Sequence, residues 1–175
     1  MKEQQKKYEL TDEFIEHWSG KKLYRIRALV TFGIVVAGQL GGFVESEKNL
    51  DQSLYGNAWV SGNAQVSGDA WVSGNAWVSG NARVYGDARV YGDARVYGDA
   101  RVYGNALVCG NAHVYGNARV YGNAWVSGNA RVYGDALVRS YAVILEPKMI
   151  FWASNVGSEN GTLTVFNGKD GLSVT

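Results

Sequence analysis

Few side chains in this chain could carry covalent or metal chemistry. Histidine occurs only at His17 and His113, and cysteine only at Cys109. One cysteine excludes an internal disulfide and a disulfide-framed secreted module. Cys109 has no base beside it in the pattern, so it is set aside as a nucleophile. Asp69, Asp87, Asp93, Asp99 and Asp135 raise calcium, but they share one repeat position with Asn and spread over three corners. That distribution reads as turn chemistry. No phosphate-binding glycine loop is present, because the glycines recur every six residues and never precede a helix. Asn160-Gly161-Thr162 fits a glycosylation acceptor, but nothing in the chain marks it for export, and it is set aside. What remains is the chemistry of binding: Arg, Tyr and Trp at fixed intervals.

Composition agrees. The chain has 175 residues, with 17 basic and 16 acidic side chains, for a net charge of +1. That suits one domain with small end pieces. It argues against a protein that lives mainly on nucleic-acid electrostatics. There are 23 Gly against one Pro, whereas flexible linkers are usually rich in both. Residues 1–15 lack the apolar core of a signal peptide. The longest uncharged stretch, Ala28–Val44, holds four glycines. It falls short of the roughly 20 apolar residues of a spanning helix. A cytoplasmic location and no membrane partner are expected.

From Leu54 the chain repeats every six residues to about Val143, giving 15 hexads. Position one is aliphatic and position five Ala in all 15; position three is Gly and position four Asn or Asp in 14, both being lost together at Arg139-Ser140-Tyr141. Positions two and six vary. A strand alternates its faces, so Val and Ala point inward while positions two and six flank Val outside. Gly turns the corner where a Cβ is disfavoured. Three hexads close one triangular coil, and 15 hexads give five coils. A bulky residue at an Ala position should break the narrow core.

The pattern Val-x-Gly-Asn-Ala-x resembles the hexapeptide repeat of the left-handed β-helix superfamily. The resemblance implies an all-β, left-handed parallel β-helix, a triangular solenoid with small N- and C-terminal β caps. That superfamily includes acyltransferases, γ-class carbonic anhydrases and non-enzymatic relatives, its enzymes usually trimeric. The leader Leu23–Ala28 and Gln39–Glu45 is similar to Gly-Asn-Ala-x-Val repeat proteins of bacteria and their phages. The acyltransferases use a His base in a cleft between subunits, so His113 is the catalytic candidate only if this chain is a CoA-dependent acyltransferase. The zinc relatives need three His, and two are present, so no metal and no cofactor are expected.

The chain divides into an N-terminal hairpin and irregular capping coil over 1–53, the repeat over 54–143, and a C-terminal β cap or assembly segment over 144–175. Residues 7–28 read as two strands around Ser19-Gly20-Lys21; a short helix capped by Thr11, with Phe14 and Trp18 inward, competes, and the hairpin is preferred. Val30 and Val36 are in step with Leu54, so residues 29–50 read as one irregular coil. Lys148–Ala153 and Thr162–Phe166 are strand-like, with a turn at 167–171.

Residues three hexads apart should stack. One face then carries Gln65, Arg83, Arg101, Arg119 and Leu137 beside Ser67, Tyr85, Tyr103, Tyr121 and Arg139. A second carries Trp59, Trp77, Arg95, His113 and Arg131. A third carries Trp71, Arg89, Leu107 and Trp125, with Tyr55 heading its neighbouring column. Arg83, Arg101 and Arg119 with Tyr85, Tyr103 and Tyr121 are the candidate partner-binding residues, since Arg and Tyr are enriched in interface hot spots. Their ligand would be a protein partner, or more weakly a nucleotide or nucleic-acid phosphate. The competing reading pairs each Arg with the Asp two positions before it, as in Asp87–Arg89, Asp93–Arg95 and Asp99–Arg101. Trp59, Trp71 and Trp77 cluster in the first two coils and are expected on the outside, at an interface with a second copy (dimer or trimer) or a partner. Three functions follow: a non-enzymatic binding protein, in one case a phage or mobile-element inhibitor of a host defence protein in the host cytoplasm; a CoA-dependent acyltransferase; or a self-assembling structural solenoid.

Overall fold

The computed structural model describes residues 5–17, 19–139, 142–146, 150–156, 161–168 and 171–174. Trp18, Ser140 and Tyr141, and part of the turn expected at 167–171, lie outside the described residues.

The repeat is a parallel β-solenoid. Fifteen two-residue strands, β4 (Trp59–Val60) through β18 (Val143–Ile144), each hold one variable residue and the following aliphatic one. Each of the first twelve pairs in parallel with the strand three hexads on, as in Arg83↔Arg101 and Val84↔Val102. The three faces are separate sheets. Every Val from Val60 to Val138 and every Ala from Ala58 to Ala136 is fully buried. The register is therefore the one that three hexads per coil predict.

The corners explain the glycines. Those from Gly62 to Gly134 hold φ between +62° and +73°, a region that a Cβ penalises by about 1–2 kcal/mol. A Cβ on Gly98 would also lie 3.1 Å from the backbone nitrogen of Gly116 in the next coil. The corner Asn and Asp side chains form ladders along the axis. Asn75 donates to Asp93 at 3.0 Å, Asn81 to Asp99 at 3.1 Å and Asn117 to Asp135 at 3.0 Å.

The N-terminal end departs from the code. Strands β1 (Tyr8–Glu16) and β2 (Lys22–Ala28) form an antiparallel hairpin. Strand β3 (Leu40–Val44) pairs antiparallel with β2 and parallel with Gln65-Val66, so the first face continues into the hairpin as one eight-stranded sheet. The irregular coil runs over residues 40–60, later than the 29–50 expected. Val44 stacks on Val66 and Leu50 on Val72, while Val36 is exposed. Leu54 is thus not the first inward residue. The Asp51 N–H still donates to the carbonyl of Val72 and that of Ala58 to Gly74, so residues 52–55 bulge out as an insertion. Leu54 is 46% exposed and Tyr55 fully exposed instead of heading a column. The bulge also clamps the hairpin. Its Gln52 side chain accepts the backbone N–H groups of Lys7 and Tyr8 and donates to the Tyr8 carbonyl.

Trp59 needs the same correction. It is fully buried, not on the outer face, because the cap closes over it. Phe32 and Tyr8 meet its indole edge-on, with ring centroids 5.5 and 6.4 Å away. Gly41 permits this closure, since a Cβ there would lie 2.7 Å from the Trp59 ring and 2.5 Å from Ile26. Tyr8 donates to the carbonyls of Leu50 at 2.8 Å and Glu47 at 3.0 Å, and burial raises its phenol pKa far above the usual value.

At the other end, β19 (Ile150–Val156), β20 (Gly161–Gly168) and β21 (Gly171–Val174) form a three-stranded antiparallel sheet. Its buried Thr164 hydroxyl accepts the backbone N–H of Leu137 at 3.0 Å, tying the sheet to the last rungs.

Candidate functional site

Apart from Trp59 and the bulge at 52–55, positions two and six flank the inward residue on all three faces, and their contents follow a rule. Each Arg at position six is followed two residues later by Tyr, and each Trp there by Ser. Two of the indoles reach back to the small residue of the preceding coil. The Trp77 indole N–H donates to the Ser61 hydroxyl of the preceding coil at 3.1 Å, and that of Trp125 to the Cys109 sulfur at 3.3 Å.

On the first face, Arg83, Arg101 and Arg119 pair side by side in one column. Beside them Tyr85, Tyr103 and Tyr121 stack with centroids 4.9 Å apart and planes within 2°. This spacing is the rung repeat of the solenoid itself. Arg83 is half-buried; Arg101 and Arg119 are exposed. Burial raises the phenols of Tyr85 and Tyr103 despite the opposing arginines, so they stay protonated donors at neutral pH.

The expected Asp–Arg pairs do not form. Among the described residues no arginine of the repeat is ion-paired with an aspartate; the ion pairs lie in and around the cap, such as Lys21–Glu45 and Lys48–Asp69, both at 2.7 Å. The reason is geometric. Asp sits on the corner ladder, where Asn75 and Asn81 already donate to Asp93 and Asp99, while the Arg two residues later projects from the middle of a face.

The second face holds a groove of about 380 Å³. Trp77, Arg95 and His113 form its floor as successive rungs of one column. Tyr97 and Ile34 of the cap also line it, Ile34 at 82% exposure. Asn75 and Ser79 add polar groups at the margin. His113 meets the Tyr97 ring edge-on at 6.1 Å. Burial lowers its pKa, and Arg95 and Arg131 on either side lower it further, so it is neutral at pH 7. Nothing in the hexad code announces this groove, because Ile34 lies outside the repeat.

The remaining candidates are scattered. Trp71 on the third face is 43% exposed, and Trp125 of the same column 45%. Trp77 is half-buried and Trp59 is core. Cys109 is buried under the Trp125 indole. Among the described residues no three of His, Cys, Asp and Glu come together as metal ligands, and no helix is long and apolar enough to cross a membrane.

No curated protein shows significant similarity to the chain. The family model described as the YdcK beta solenoid repeat matches it in eight overlapping segments, from 64–80 through 124–140. The match covers the rungs from Gln65-Val66 to Leu137-Val138, and the chain is accordingly a β-solenoid repeat protein, similar from residue 64 to 140 to the YdcK repeat.

Proposed function

We propose that this protein works by binding, and that the first face is its protein-recognition surface. The observation that carries the reading is the column Arg83, Arg101 and Arg119, in register, without a carboxylate partner among the described residues, beside a stacked tyrosine ladder. Three cations held at the rung spacing repel one another, and an acidic partner surface relieves that repulsion. Arg forks supply bidentate donors, and the tyrosines supply flat contact already fixed by stacking. The partner is an acidic protein. A phage or mobile-element inhibitor of a host protein is the specific case implied by the leader's resemblance. Affinity capture from host lysate, with wild type and an Arg83→Ala, Arg101→Ala, Arg119→Ala variant side by side, tests it. Salt-sensitive capture of an acidic protein, lost in the variant, supports the reading; equal capture by both overturns it.

The exposed Trp71 and Trp125 of the third face are the proposed contact with a second copy, with Trp59 removed from that role. Light scattering of a Trp71→Ser, Trp125→Ser variant should report a smaller species than wild type.

The acyltransferase reading turns on His113, which lines a groove of a single chain. It predicts thermal stabilisation by acetyl-CoA that a His113→Asn variant loses; no stabilisation of the wild type removes it.

A further inference from the structure

The groove on the second face has an unusual mixture of walls for a solenoid surface. Its floor places an indole, a guanidinium and an imidazole on consecutive rungs, about 4.8 Å apart. The indole is fixed, because its N–H is committed to Ser61. It can therefore offer only its ring. Tyr97 is fixed as well: it stacks on Tyr115 at 4.9 Å with planes 1° apart and takes His113 against its edge. Arg95 is exposed and forms no ion pair among the described residues. Arg131, two rungs from Arg95 in the same column, keeps the far end positive. Among the described residues Ile34 is the large apolar side chain most exposed after Tyr55, and it lines the groove.

A wall of rings, one forked cation and an exposed apolar side chain select a flat apolar body with an anionic end. A ring lying along Trp77 and against Ile34 would bring an attached carboxylate to Arg95 one rung away. The concavity measures about 380 Å³, at the small-ligand end of binding-site sizes. It is too small to seat a folded partner's edge. From this we infer that the second face carries a small-molecule site for planar aromatic carboxylates, with Trp77 and Tyr97 as the stacking walls, Arg95 as the carboxylate anchor and Ile34 as an apolar contact. The site is separate from the Arg–Tyr face and does not depend on that face binding a protein.

The test uses the full chain and naphthalene-2-carboxylate as the probe, read by calorimetry and by saturation-transfer NMR. A ligand of this size in a half-open groove is expected to bind with a Kd of about 1 mM or tighter. Cyclohexanecarboxylate, which keeps the charge but not the plane, and 2-naphthol, which keeps the plane but not the charge, should each bind at least about tenfold more weakly, the worth of one lost ring contact or one lost charged hydrogen bond. Arg95→Gln and Ile34→Glu should each cause a similar loss. Ile34 is exposed and its replacement leaves the solenoid core untouched, so unfolding does not confuse the result. Absence of saturable binding up to about 10 mM, well beyond the expected Kd, overturns the proposal. So does undiminished binding by Arg95→Gln, or equal binding of the three probes.

Discussion

Between Val60 and Ile144 the interior is written with Val stacked on Val and Ala on Ala, whereas the coil before it, residues 40–60, closes around Trp59, Phe32 and Tyr8. The regular coils satisfy much of their backbone by handing N–H groups to the next coil, as Arg83 does to Ala100 and Tyr85 to Val102, while Ala N–H groups such as that of Ala82 turn back to Ser79. The first coil has no coil before it, so a hairpin, a bulge at 52–55 and buried rings cover the open end. The difference teaches where specificity resides. A regular coil can differ from its neighbour only at positions two and six, while the irregular end can place a residue such as Ile34 beside a face and turn a flat ladder into a groove. Repetition makes the wall, and interruption makes the recess.

The sharpest way to break this contrast is to remove its anchor. Trp59→Ala leaves a cavity beneath the hairpin and should destabilise the protein by about 3–5 kcal/mol. Denaturant unfolding, compared with wild type, measures it. A loss below about 1 kcal/mol would mean that the cap is held by its hydrogen bonds alone. The matching insult to the regular region is Ala100→Leu. Ala100 is fully buried between identical neighbours, and the extra volume should cost about 1–3 kcal/mol. In a solenoid, stability sums over neighbouring units, so the damage should be greatest in hydrogen exchange of the adjacent coils. Uniform loss of protection over the whole chain would show that cap and prism unfold as one unit.

A third prediction concerns the seam between the regions. Glu45 follows β3 and pairs with Lys21 at 2.7 Å, and its other oxygen accepts the Gly68 N–H at 2.7 Å. Burial pushes its carboxyl up, but Lys21 and the Gly68 N–H together hold it below the usual range. A lowered folded-state pKa means the stabilisation is full above the unfolded value, about pH 4.3, and is lost as pH falls through the folded pKa. Glu45→Gln should therefore cost about 1 kcal/mol at pH 7, and the gap from wild type should close in acid, as thermal melts over the acid-to-neutral range would show. A gap that does not change with pH would assign the effect to packing.

How much of the molecule is legible in the sequence follows the same division. The strict hexad encodes the register, the inward Val and Ala and the corner glycines, because a period of six leaves one way to stack a triangle. The Arg and Tyr columns are readable for that reason. The code misplaces Trp59, whose hexad position marks it as outward, and only the distant Phe32 and Tyr8 reverse that. It misplaces Leu54 as well, because the extra residues 52–55 restore the phase at Gly56 and the insertion leaves no break in the repeat. The Asp–Arg pairs fail because a separation of two in sequence ignores the Asn one coil away. The groove is invisible, since its lining joins residue 34 of the cap to residues 75 to 113 of the repeat.

The smallest predicted effect lies on the corner ladders, where the two regions meet in electrostatics. Asp69 and Asp87 are one coil apart, a step at which one carboxylate follows another, and there the irregular coil supplies Lys48, 2.7 Å from Asp69. Lys48 lowers the Asp69 carboxyl by a hydrogen bond and by its charge. Within the regular coils Asn75, Asn81 and Asn117 instead precede an Asp on the ladder and donate to it. Asn81→Asp would replace that donor by a second carboxylate facing Asp99, with no cap lysine in reach. It should cost about 0.5–1 kcal/mol at low salt, less in about 0.5 M NaCl where the Debye length is short. Lys48→Met should produce a salt-sensitive loss of its own at the other step. If Asn81→Asp is neutral at both salt concentrations, the choice between Asn and Asp along the ladders is free. If it is costly only at low salt, the ladder itself forbids consecutive carboxylates, and the lysine of the irregular coil is what permits the exception at Asp69.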